Sequence, residues 1–171
     1  LVDARIVGNT YVSINQRTFN GAISEISRPN DELPAILGGY RRIIAIHDPH
    51  GLLLTLEKRA ASVGSQLFRK SAQTALVHSY EDFCRVKNAF LTGDEVVLKD
   101  NVLLITYSAA LIVASLNGEC FASDREIFKA HKGFSSLPRG FDRLEELRYG
   151  NLKGEALYMT LLGFYLDLVR F

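Results

Sequence analysis

Residues 95–116, EVVLKDNVLLITYSAALIVASL, limit the fold more than any other stretch of the chain. Asp100-Asn101 and Ser108-Ala109 divide it into three strand-length runs rich in Val, Ile and Leu. Three consecutive strands with such short links predict an antiparallel meander. The middle run, Val102 to Tyr107, is nearly all apolar, the pattern of a central strand covered on both faces. Leu104 is therefore expected inside. Asn117-Gly118 closes the third strand.

A second hairpin is expected upstream, in RRIIAIHDPHGLLLTLEKRA from Arg41 to Ala60. Ile43 to Ile46 and Leu52 to Leu56 are short apolar runs. Asp48, Pro49 and Gly51 between them match positions i, i+1 and i+3 of a type I turn. His47 and His50 then sit at an exposed tip. They are the best candidates for a metal or catalytic pair, but zinc needs three or four ligands and no other His or Cys stands at ligand spacing. Turn chemistry accounts for the segment without a metal.

From Ser62 to Phe90 the period changes. Phe68, Ala72, Ala75, Leu76, Ser79, Phe83 and Phe90 recur at steps of three and four, one apolar stripe on a long helix stopped by Gly93. His78 falls on its wet side. Residues 4–19 predict a short hairpin around Gly8-Asn9, with Tyr11, Ser13 and Asn15 alternating against Val12, Ile14 and Gln16. Residues 24–40, with two prolines and Gly38-Gly39, predict a flexible loop with room for one helical turn. Ser123 to Glu126 spells a capping box for a helix ending at Gly133. Phe141 to Tyr149 and Glu155 to Phe171 predict two more helices.

This order predicts an α+β fold in one domain, residues 1–171. Residues 1–40 supply extra N-terminal strands and a loop. Residues 41–133 form a central antiparallel sheet of about five strands with a long helix across it, and 134–171 a helical tail. IIAIHDPHGLLLTL, GDEVVLKDNVLLITY and ALIVASLNGE in this order resemble the hairpin and meander of the roadblock and longin families, whose architecture is profilin-like. The resemblance covers roughly residues 41–131. It implies a dimerising scaffold that docks a small GTPase or a trafficking complex.

Composition narrows the function. Lys plus Arg total 20 against 19 for Asp plus Glu, so no global field draws the chain to nucleic acid. A membrane span is not expected, on the criterion of about 18 uncharged residues in a row. Cys84 and Cys120 are too few for a disulfide framework, sit among apolar residues, and favour a reducing, intracellular, cytoplasmic setting. No phosphate-binding glycine loop, GxSxG, HExxH or CxxC occurs, and the adjacent pairs Asp94-Glu95 and Glu145-Glu146 point apart. The sequence therefore predicts no catalytic, cofactor or metal site. It predicts a non-catalytic interaction module whose partner is another protein or a second copy. The alternative is a self-assembling viral matrix or shell subunit, and a third reading is a small enzyme using His47 and His50. The expected interface is on the last helix, GEALYMTLLGFYLDLVRF. Thr160, Gly163, Asp167 and Arg170 share one narrow polar stripe there, and apolar residues cover the rest. Leu157, Leu161, Phe164, Tyr165, Leu168 and Phe171 are the expected docking residues.

Overall fold

The computed structural model describes residues 2–8 and 10–171, with side chains from Gln16 onward except at 124 and 125. Strands β1 (Val2–Val7) and β2 (Thr10–Asn15) pair antiparallel, Val7 opposite Thr10. Gly8 leaves β1 at a φ of +61°, where glycine carries no steric cost. Asn9 and the alternating side chains of residues 10–15 lie outside the described residues. The other described elements are helices: α1 (Phe19–Ser27), α2 (Leu33–Arg41), α3 (Leu52–Ala61), α4 (Ser65–Thr92), α5 (Glu95–Asn117), α6 (Asp124–Ala130) with a 3₁₀ turn at His131–Gly133, α7 (Arg143–Tyr149) and α8 (Gly154–Arg170).

The predicted α+β fold with its central five-stranded sheet is overturned. Residues 95–117 are one helix, not a meander. Asp94 caps it by accepting from the Val97 amide at 3.0 Å, and Gly118 ends it in the left-handed conformation at a φ of +70°. The supposed turn residue Asn101 sits inside the helix, its side chain donating to the Val97 carbonyl at 2.7 Å. No Gly or Pro interrupts residues 95–117, and packing overrides the strand preference of Val and Ile. Leu98, Val102, Ile105, Ala109 and Ile112 are buried at steps of four and three. Leu104 falls between them and is 49% exposed, not core.

The upstream hairpin is also absent. The turn forms, with the Gly51 amide donating to the Asp48 carbonyl at 3.2 Å, but it opens helix α3 instead of reversing a strand. The Asp48 carboxylate accepts from the amides of Leu52 and Leu53 at 2.8 and 2.9 Å, satisfying two donors that the first helical turn leaves unpaired. LLLTLEKRAA is rich in helix formers that are not branched at Cβ, and Leu56 and Ala60 bury one face. Ile44 and Ile46 lie on an irregular link and are exposed. The strands that carried the roadblock and longin resemblance are thus helix or irregular chain.

Residues 24–40 are the end of α1, a short link at 28–32 and most of α2, where the sequence predicts a loop throughout but for one helical turn. Pro34 lies in the first turn of α2, where a missing amide costs nothing. Gly38 is inside α2 because the helix crosses the backbone of Phe121: a Cβ there would stand 1.8 Å from the Phe121 carbonyl oxygen. The Phe121 amide donates to the Pro34 carbonyl at 3.1 Å across the same contact. The capping box at α6 is shifted. The Ser123 side chain makes no cap bond, while the Glu126 carboxylate reaches the Ala122 amide at 3.0 Å and pairs with Arg42 at 2.8 Å.

α4 and α5 are joined by two residues, Gly93 and Asp94, and pack as an antiparallel pair. Small α4 residues, Ala72, Ala75, Ser79 and Ala89, let the two axes approach. The larger core cluster joins α4 and α5 to α6, α7 and α8; a second one gathers α1, α2, α3 and Phe68 at the start of α4. Residues 101–118 are in fact 18 residues without Asp, Glu, Lys or Arg, so the expectation that no such run exists fails. By length and composition α5 could cross a membrane, but 56% of its most apolar window is buried within the protein, as in the core helix of a soluble protein.

Candidate interaction surface

α8 packs antiparallel to α4 through two aromatic pairs. Phe83 stacks on Tyr165 with centroids 4.6 Å apart, and Phe90 on Tyr158 at 4.3 Å. Seven residues separate the pairs on each helix, so the two helices hold one register over two turns. Tyr165 also meets Ser79, hydroxyl to hydroxyl at 3.2 Å. Burial raises its phenol above the ordinary value, and the Ser79 bond partly offsets that.

This seam decides which side of each helix faces out. Five of the six expected docking residues, Leu157, Leu161, Phe164, Tyr165 and Leu168, are buried in the chain's own core. Only Phe171, at the end, is exposed. The polar stripe is not the outer face either. A Cβ at Gly163 would lie 3.5 Å from Arg143, and the Asp167 carboxylate is 3.4 Å from a Cβ built at Gly140, so this side looks toward α7 and the turn before it.

The outer face of α8 is apolar. At about 100° per residue, Met159, Leu162, Leu166 and Val169 follow Tyr158 and Tyr165 round the helix, on the flank nearest α4. Their steps are three, four and three. α4 does the same from its side: Val77, Tyr80, Cys84 and Leu91 follow Phe83 and Phe90 round the flank nearest α8. Val77, Tyr80, Leu91, Met159, Leu166 and Val169 are each 44–70% exposed. Cys84 is also exposed and free. The two stripes therefore border one seam and form one apolar surface. Lys87 lies within the α4 stripe and Glu155 at the start of the α8 stripe. Neither has an ion-pair partner among the described residues.

The sequence points to α8, but five of the six residues it singles out there face the core, and the exposed stripe is a different set. The signal was the heptad spacing of residues 159, 162, 166 and 169 and of 77, 84 and 91. A helix apolar nearly all round does not say which half its own chain covers, and only Phe83 and Phe90 settle that.

Chemistry is sparse elsewhere. His47 and His50 are exposed on the link before α3, and among the described residues no cluster of three His, Cys, Asp or Glu could hold a metal. His78 is exposed, as expected, and meets Asp31 at 3.0 Å. Asp94 is spent on capping α5. Between α1, α2 and α3 an open groove is lined by Phe19, Leu53 and Leu56 with Arg17 and Tyr40 at its rim. Arg17 is paired with Glu25, which also accepts from Tyr40, so no free cation points into it. Cys120 is half-buried, and burial raises its thiol above the ordinary value, which keeps it a weak nucleophile. Compared with known proteins, the chain matches no family model and no curated protein.

Proposed function

We propose that this protein is a non-catalytic interaction module that docks another protein through the α4–α8 face. The observation that carries this is the pairing of two exposed apolar stripes along one seam. A contiguous apolar surface of a few hundred Å² marks an interaction site more often than a bare surface. Spacing of three and four on both helices suits a helical partner, because an amphipathic helix laid along such a seam places its own apolar residues at the same period. A small GTPase or trafficking complex was suggested only by the resemblance, whose strands are absent. The spacing of the face supports a helix with an apolar stripe as the partner. An exposed free Cys84 suits a reducing cytoplasm.

Site-specific photo-cross-linking tests the reading. A photoreactive residue in place of Leu166 should give a defined adduct in native extract, and one in place of Lys58, exposed on α3, should not. Adducts at neither position, or equally at both, contradict it.

A further inference from the structure

Resting on the docking reading above, we propose that the occupant of the α4–α8 face is a second copy of this chain. The two copies pack about a two-fold axis parallel to the helices, with each α4 lying on the partner's α8. The register of the aromatic seam sets what this brings together. Phe83 stands level with Tyr165 and Phe90 with Tyr158. A two-fold along the helices preserves those levels, so Cys84 meets the partner's Leu166 and Tyr80 the partner's Val169. Leu91 likewise meets the partner's Met159. Apolar positions of α4 thus find apolar positions of the partner's α8 opposite, which makes the face its own complement, as an isologous interface requires.

Two further features fit this occupant. Helices α4 and α8 are antiparallel, so the partner's α4 runs antiparallel to the α8 beneath it. The four together have the topology of an antiparallel bundle. The area also suffices. The six exposed residues of the stripes are each 44–70% exposed. At on the order of 100 Å² apiece they offer roughly 600 Å² per copy, or roughly 1,200 Å² in all, where the range of specific interfaces begins.

Sedimentation and directed disulfide formation test the pairing on the full chain. Wild type should sediment at twice 19.1 kDa at micromolar concentration, and Leu166→Glu at 19.1 kDa with unchanged helical circular dichroism. For the cross-link, both chains carry Cys120→Ser. One keeps Cys84, and the other is Cys84→Ser with Leu166→Cys. Mild oxidation of the mixture should give a covalent heterodimer, because a disulfide forms only where Cα atoms come within about 7 Å. Neither chain alone should do so. A wild-type mass of one copy at every concentration overturns the proposal, as does a mass that climbs past two copies. A monomer that still cross-links a different protein from position 166 overturns self-pairing alone. One that cross-links nothing overturns the docking reading as well.

Discussion

Replacing Gly38 by alanine adds one carbon where α2 crosses the backbone of Phe121. That carbon would lie 1.8 Å from the Phe121 carbonyl oxygen and 2.2 Å from its carbon, where real contacts stay beyond 3.0 Å. The crossing must open by more than an ångström, and both sides are backbone, so no flexible side chain can absorb it. Overpacking of this kind costs about 1–3 kcal/mol. The same movement breaks the 3.1 Å bond from the Phe121 amide to the Pro34 carbonyl, a loss of about 1 kcal/mol. Against this, alanine in a helix interior gains about 1 kcal/mol over glycine. The net is a loss of about 1–3 kcal/mol. At roughly 2–4 °C per kcal/mol for a chain of this size, Tm should fall by about 2–12 °C. Gly39, the next residue, has nothing within 4 Å of its Cβ position. Gly39→Ala should keep the helix-propensity gain, about 0.5–1 kcal/mol, and raise Tm by a few degrees. Thermal melts followed by circular dichroism compare the two. A Gly38→Ala protein as stable as wild type, or a Gly39→Ala protein equally damaged, would refute the placement of α2 on Phe121.

Ile105→Ala should cost about 2–5 kcal/mol in urea unfolding, and Leu104→Ala far less, since the helix buries the first and exposes the second. Equal costs would restore the strand reading. Asp48→Ala should cost about 0.5–2 kcal/mol through loss of the α3 cap, with Asp48→Asn retaining most of the stability; identical melts for all three proteins would show the carboxylate does not cap. Burial holds His131 below its ordinary value, opposed by Glu145 and reinforced by Lys132. The fold therefore favours the neutral ring, so its contribution is complete above the unfolded-chain value of about 6.5 and is lost as pH falls below it. Tm should drop between neutral pH and about pH 5, and His131→Gln should flatten that slope; parallel curves contradict the assignment.

The long helix α4 was legible because its stripe runs unbroken from Phe68 to Phe90 and Gly93 stops it. The last three helices were legible from their bounding glycines and charges. α5 was not, because Val and Ile suit strands and buried helices alike. Only the absence of Gly and Pro from residues 95–117 argued for continuity, because Asp100-Asn101 and Ser108 suit turns as well. The Asp48 turn was read correctly in its geometry and wrongly in what it joins, since a capped helix and a hairpin begin with the same residues. Gly38 looked like loop punctuation because the reason for it, Phe121, lies 83 positions away in the chain.

Met159 is the chain's single methionine and lies in the α8 stripe, 54% exposed. Its oxidation, followed by peptide mass against the labelling of Tyr80 on α4 and Tyr149 on α7, tests the α4–α8 face directly. In dilute, unassembled protein all three should react at the rates of open side chains. As concentration rises, Met159 and Tyr80 should become protected together while Tyr149, 67% exposed and away from the seam, stays reactive. Protection of Tyr149 with Met159 and Tyr80 left open would contradict the account, because the surface that assembles would then lie elsewhere.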